Sequence, residues 1–179
     1  GYGNRVRTIN ASGSPERITE KVYDDRLHQY VVRERAYGDG ITLETSIEIN
    51  WQIAFGAIEK KTDPNGKSTY YDYDSIGRLY RQRVDTDSGI RTLSENTYST
   101  DFPLSGKVVQ YTGAAAETTS SLLETRVFAD GMGRVIHTVK RAPNGKYIKT
   151  GMLQYDAAGR VIKKGQTRWA DAREIDEYV

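Results

Sequence analysis

Two histidines, His28 and His137, are the first candidates for acid-base or metal chemistry, but each stands in a strand-like context without a spaced His, Asp or Glu partner. Glu174 to Glu177 bring carboxylates together near the end of the chain, in the pattern of exposed tail charge rather than of a hydrolase pair. Gly131-Met132-Gly133 lies between strand-like segments and lacks the further Gly, Lys and helix that a phosphate loop needs. No combination of these residues makes a catalytic set, so an enzyme is not expected, and no cofactor or metal is expected either. The remaining candidates are aromatic and cationic. Tyr70, Tyr71, Tyr73, Tyr80 and Tyr98, beside Arg78, Arg81 and Arg83, have the composition of a surface for glycans or a protein partner. Within this group Tyr70, Tyr71, Tyr80 and Arg81 are the candidate binding residues. The alternative is that each Tyr buries its ring on a half-wet sheet and leaves its hydroxyl in water.

A motif that holds structure rather than substrate recurs three times. It reads Tyr73-Asp74-Ser75-Ile76-Gly77-Arg78-Leu79, Ala129-Asp130-Gly131-Met132-Gly133-Arg134-Val135 and Tyr155-Asp156-Ala157-Ala158-Gly159-Arg160-Val161. Asp opens a turn, its carboxylate accepting turn amides, and Gly three residues later takes a left-handed conformation. The strands that follow place Leu79, Val135 and Val161 in equivalent positions, and likewise Tyr80, Ile136 and Ile162. Asp130 and Asp156 are 26 residues apart and Asp74 and Asp130 are 56 apart, an internal repeat with one degenerate unit between the first two copies.

The elements around these turns read as strands. From Ile41 to Phe55 the odd positions Ile41, Leu43, Thr45, Ile47, Ile49, Trp51, Ile53 and Phe55 alternate with polar or small residues. Period two predicts one buried and one wet face, with a bulge or bend because the segment is long for a strand. Asp63-Pro64-Asn65-Gly66 and Ala142-Pro143-Asn144-Gly145 read as a different, type I turn. They predict hairpins that pair 57–62 with 67–74 and 134–141 with 146–156. The tract 113–121 reads as an exposed hairpin loop, with a short helix as the alternative, and the tail from Trp169 to Val179 as a helix or an unfinished strand.

Composition agrees. Among 179 residues, 17 Gly and 13 Tyr sit beside 2 Met, 3 Phe and 2 Trp. A hydrophobic fraction of 37% and a mean hydropathy of -0.68 suit a sheet wetted on at least one face. The 26 basic and 24 acidic residues are interspersed, so no single-sign field is expected to capture nucleic acid. No apolar run reaches membrane-spanning length, the first ten residues lack the pattern of a signal peptide, and the absence of Cys excludes disulfides. The expectation is an all-β array of serial antiparallel β-hairpins. It forms a single segment over 1–179, with a lead-in hairpin over 1–40, repeat hairpins over 41–168 and a tail over 169–179.

The Tyr-Asp dipeptide followed by Gly-Arg and an aliphatic residue resembles the hallmark of the YD-repeat (Rhs-repeat) family. Tyr73 to Leu79 and Tyr155 to Val161 match it fully, and the copy at Asp130 has Ala129 in place of Tyr. The stretch from Tyr23 to Tyr30 is similar to the region that leads into the repeats of Salmonella-virulence-plasmid-B-like and toxin-complex shell proteins, so the resemblance spans roughly residues 20 to 165. It implies a curved or spiralling sheet that is one section of a hollow shell enclosing a toxin or other polypeptide, in a large bacterial protein that is extracellular or at the cell surface. The implied partners are neighbouring repeats and the enclosed polypeptide, with self-association through open sheet edges. Asp63-Pro64-Asn65-Gly66 is similar to the Asp-Pro-x-Gly boundary at which some members cleave themselves, but it lies inside the repeats and reads as a plain turn. The runner-up function is a surface binding module for carbohydrate or protein.

The strand parity makes Ile49 a buried position. Ile49→Asp is expected to unfold the segment around it by placing an unpaired charge on that face, and a melt indistinguishable from the parent's by circular dichroism would show the register to be wrong.

Overall fold

The computed structural model describes residues 3–10, 17–53, 56–99, 104–112 and 122–170. All regular structure among them is β, in fifteen strands. Thirteen form one hydrogen-bonded antiparallel series in which neighbours in the sheet are neighbours in sequence, except that the last strand joins the twelfth; the other two form a separate hairpin. The chain divides into two compact units, Gly1–Arg91 and Thr92–Val179. The boundary expected at residue 40 falls in the turn of a hairpin of the first unit.

The first unit runs β1 (Arg7–Asn10), β2 (Arg17–Tyr23), β3 (Val31–Gly38), β4 (Ile41–Asn50), β5 (Ala57–Thr62), β6 (Ser68–Tyr73) and β7 (Leu79–Thr86). Its buried residues, among those described, are the polar Asp24 and Ser68. The apolar residues are only half covered, so cross-strand pairs carry much of the cohesion. One row across β1 to β4 alternates in charge as Arg7, Glu20, Arg35 and Glu44, directly opposite one another. Arg7 lies 3.6 Å from Glu20, Arg35 pairs with Glu44, and the Tyr37 hydroxyl donates to Glu20 at 2.9 Å. A second row, Glu48-Lys60-Tyr70-Arg83, crosses β4 to β7.

The alternation expected from Ile41 to Phe55 holds as a strand only as far as Asn50. There the Asn50 carboxamide oxygen accepts the Gln52 N–H at 2.9 Å and turns the chain. This local side-chain bond competes with the ladder and wins. Trp51 and Ile53 therefore lie in a turn, and Trp51 takes the Arg26 guanidinium at 5.1 Å over its ring and Tyr30 edge-on at 5.6 Å. Phe55 lies outside the described residues. The buried face expected for Ile41 and Leu43 is also corrected, since they are 59% and 49% exposed. Of the bulge or bend predicted within the segment, the structure has the bend, at Asn50; the register of β4 against β5 also shifts between Glu48 and Ile49, but the residue left without a partner is Glu59 of β5.

The second unit contains most of β8 (Gly89–Ser99), then β9 (Leu104–Tyr111), β10 (Leu122–Ala129), β11 (Val135–Arg141), β12 (Tyr147–Thr150), β13 (Leu153–Tyr155), β14 (Val161–Lys164) and β15 (Arg168–Trp169). The predicted second arm from 146 to 156 is broken. Gly151, at φ 65°, ends β12 and starts the separate hairpin β13–β14, while β15 returns to pair with β12. Tyr111 pairs with Leu122, so the small-residue tract connects two antiparallel neighbours, but its own structure lies outside the described residues, as does the tail beyond Ala170.

Here there is a true core. Phe128, Ile136 and Val139 are buried, and Tyr147, Tyr155 and Ala170 pack on them. His137 belongs to it, its ring stacked on Phe128 at 4.5 Å. Val139 has no exposed surface. Val139→Ala is expected to lower the unfolding free energy by about 1–3 kcal/mol, read as an earlier denaturant midpoint with an unchanged m-value.

Candidate functional site

The three predicted repeat turns share one hydrogen-bond pattern. In each, the Asp N–H donates to the carbonyl of the Arg four residues on, at 2.9 Å for Asp74, 3.0 Å for Asp130 and 2.9 Å for Asp156. The closing Gly N–H donates back to the Asp carbonyl at 2.9–3.0 Å. The Asp carboxylate then accepts the N–H and the Nε–H of that Arg on its two oxygens: 2.8 and 2.7 Å in the Asp74 turn, 3.0 and 2.7 Å in the Asp130 turn, 2.8 and 2.8 Å in the Asp156 turn. Gly77, Gly133 and Gly159 sit at φ of 84°, 76° and 81°, a region open to Gly at little cost. The Arg134 guanidinium holds the Asp130 carboxyl below the usual carboxylate range; for Asp156 the Arg160 N–H comes first and its guanidinium second.

The Pro-containing turns are not a second type. Asp63 N–H donates to Lys67 and Gly66 N–H back to Asp63, and Ala142, Lys146 and Gly145 repeat this, so the backbone is the same in all five turns. The difference lies in the strands. Beside each Asp-Gly-Arg turn the register shifts by one residue, leaving Tyr80, Ile136 and Ile162 as bulge residues with no partner opposite. Beside the Pro turns the pairings of β5 with β6 and of β11 with β12 run without such a shift.

A fourth copy went unrecognised in the sequence. Tyr23-Asp24 opens the loop between β2 and β3, its register shift leaves Val32 as the bulge residue, and Asp24 N–H donates to the Tyr30 carbonyl at 2.8 Å. The turn is two residues longer, and His28, at φ 55°, stands where the others have Gly. His28 is thus a turn residue rather than a strand residue. The Asp24 carboxylate is buried and accepts five backbone N–H groups, from Arg26, Leu27, His28, Gln29 and Tyr30. The Tyr-Asp dipeptide was the available signal; the missing Gly-Arg hid it.

The Tyr of each full motif ties its turn to an earlier strand or segment. Tyr23 donates its hydroxyl to the Arg5 carbonyl at 3.3 Å, Tyr73 to Ile58 at 2.8 Å and Tyr155 to Val135 at 3.2 Å. Successive turns also touch. Ile53 lies 3.1 Å from where a Cβ on Gly77 would stand, and Arg134 lies 3.1 Å from the same place on Gly159. Arg134 also stacks on the Tyr155 ring at 4.3 Å.

The candidate binding residues do not converge on one concave site. Tyr70 and Tyr71 are adjacent in β6 and point to opposite faces. The Tyr70 ring has Lys60 at 6.0 Å and Arg83 at 5.6 Å, and Asp72 joins Arg83 and Arg81 through bonds of 2.7–2.9 Å. Tyr80 is more exposed, with the Arg81 guanidinium 5.4 Å from its ring centre. Among the described residues no group of three His, Asp or Glu is placed to hold a metal ion.

Burial works to raise the Asp24 pKa, but the N–H groups of Leu27, Tyr30, Gln29 and His28 together outweigh it and lower it from 3.8 to about 2. A carboxylate depressed in the folded state stabilises the protein above the unfolded value and ceases to do so as pH falls through the folded one. Asp24→Asn is therefore expected to lower the melting temperature at pH 7, with the gap to the parent closing between about pH 4 and pH 2. A gap that stays constant over that range would assign the loss to packing instead.

No family profile and no curated protein matches the chain. Solved structures do. TcdB2-TccC3-Cdc42 aligns over 85% of this chain with a TM-score of 0.66 and 13% identity, and TcdB2-TccC3 without the hypervariable C-terminal region aligns over 85% with a TM-score of 0.64 and 13% identity. The chain spans 12% of either of those chains. It therefore has the serial-hairpin fold of the TcdB2-TccC3 chains, and its similarity to the YD-repeat (Rhs) shell fold rests on its structure as well as on its turns.

Proposed function

We propose that this chain is a structural section of a large bacterial YD-repeat protein, a wall segment that helps enclose a toxin or other polypeptide, outside the cell or at its surface. The observation that carries the reading is the recurrence of one Asp-anchored turn, tied to an earlier strand or segment wherever a Tyr precedes the Asp, in a fold shared with much longer TcdB2-TccC3 chains. Such a device propagates a sheet. The carboxylates of the turns accept backbone N–H groups and guanidinium donors, which suits holding loops closed rather than transferring protons and supports reading the role as structural. The partners are then the adjoining repeats and the enclosed polypeptide.

A binding surface for a glycan or protein partner is a second reading, favoured by the exposed Tyr80 ring beside Arg81. Limited proteolysis separates the two. In the full-length parent with its cargo, the wall reading expects the cargo to resist digestion and to become sensitive when Asp74 and Asp130 are both changed to Ala. Cargo cleaved at the same rate in both forms, with Tyr80→Ala abolishing glycan or partner capture, would replace the first reading by the second.

A further inference from the structure

In the second unit, the Asp130 and Asp156 turns are internally alike and differ in what covers them. In both, the Arg Nε–H is fastened to the Asp carboxylate, at 2.7 and 2.8 Å, and both carboxylates are 21% exposed. The Arg134 side chain is 28% exposed because the Tyr155 ring lies on it, and the Arg160 side chain, held in the same posture, is 80% exposed. The bulge residues differ in the same way: Ile136 is 7% exposed and Ile162 is 60% exposed. The backbone contact that accompanies this cover is the bond from the Tyr155 hydroxyl to the Val135 carbonyl. The Asp156 turn thus presents a fixed guanidinium, the Val161 carbonyl and an apolar bulge side chain, the same three features to which the β13–β14 hairpin docks one copy earlier.

We infer that Arg160, the Val161 carbonyl and Ile162 form a docking surface for a further β-hairpin that carries Tyr immediately before an Asp-x-x-Gly turn. The ring of that Tyr covers Arg160, its hydroxyl donates to Val161, and the hairpin buries Ile162. The inference rests on the reading of the chain as a repeat section and adds to it the chemistry of the junction: a cation-π stack and one carbonyl cap per repeat. The occupant is a hairpin whose Tyr is still unengaged. A second copy of this chain fits less well, because its Tyr73 and Tyr155 hydroxyls are already bonded to Ile58 and Val135.

The probe is a backbone-cyclised, fluorescently labelled peptide with the sequence of residues 153–164, since an open two-stranded hairpin is marginal in water. Anisotropy titration with the purified full chain is expected to show saturable binding. Binding is expected to weaken roughly tenfold with Arg160→Ala or Ile162→Asp in the chain, or with Tyr155→Ala in the peptide. Both chain substitutions are at exposed positions, and circular dichroism would verify that the fold is kept. Binding indifferent to all three changes, or no binding to a folded chain, overturns the inference. So does concentration-dependent dimerisation of the chain that Ile162→Asp abolishes, because the occupant would then be a second copy. Peptide binding reads only this junction, whereas protection of a cargo from protease reads the enclosing role, so either can fail while the other stands.

Discussion

A tight turn of five residues leaves backbone N–H groups pointing inward with no strand to receive them, and the rest of this structure depends on how that demand is met. An Asp at the first position answers it in five of the hairpins, those of Asp24, Asp63, Asp74, Asp130 and Asp156, and its reach extends from two N–H groups in the short Asp63 turn to five around Asp24. In three copies the second oxygen also takes an Arg from the far side of the turn. The turn is closed by a residue at positive φ, Gly in most copies and His28 in the longest. With the corner satisfied from within, the strands on either side are free to spend their bonds on each other.

That independence suits a sheet with little interior. In the first unit the buried side chains are polar, and cohesion comes from rows of opposed charges and from Tyr rings flanked by cations, as Glu48, Lys60, Tyr70 and Arg83 show. Exposed ion pairs are individually weak, and a row is worth more for the register it selects than for its energy, since a one-residue slip sets like charges opposite. The second unit follows the same plan and adds a small core, where the β13–β14 hairpin supplies Tyr155 to cover Ile136, Val139 and Phe128.

Contacts between successive turns give the glycines a second reason to be Gly. Gly77 and Gly159 need positive φ, and each also leaves room for a side chain from an earlier turn, Ile53 in one case and Arg134 in the other. Tyr and Arg of the motif serve different neighbours: the Tyr hydroxyl reaches back to a carbonyl, and the Arg, having closed its own turn, offers its outer face forward. The motif is therefore a turn and a joint together, which explains how a short sequence pattern extends a sheet copy by copy.

By itself the sequence determined the fold class, the three complete turns, the hairpin over β5 and β6 and a bend in the long segment after Ile41, because each follows from local chemistry: period-two alternation, Asp and Gly at fixed spacing, and a segment too long to stay straight. Tertiary structure decided the rest. Alternation alone did not reveal that Asn50 would end its strand, nor that Ile41 and Leu43 would stay exposed, since the covering of a face depends on what lies across from it. The pattern of Asp24 was hidden because a longer loop meets the same hydrogen-bonding demand without Gly-Arg. The stacking of Arg134 on Tyr155, and the separation of Tyr70 from Tyr71 on opposite faces, are properties of paired strands in register, and no residue spacing within a single strand encodes which strand will lie beside it.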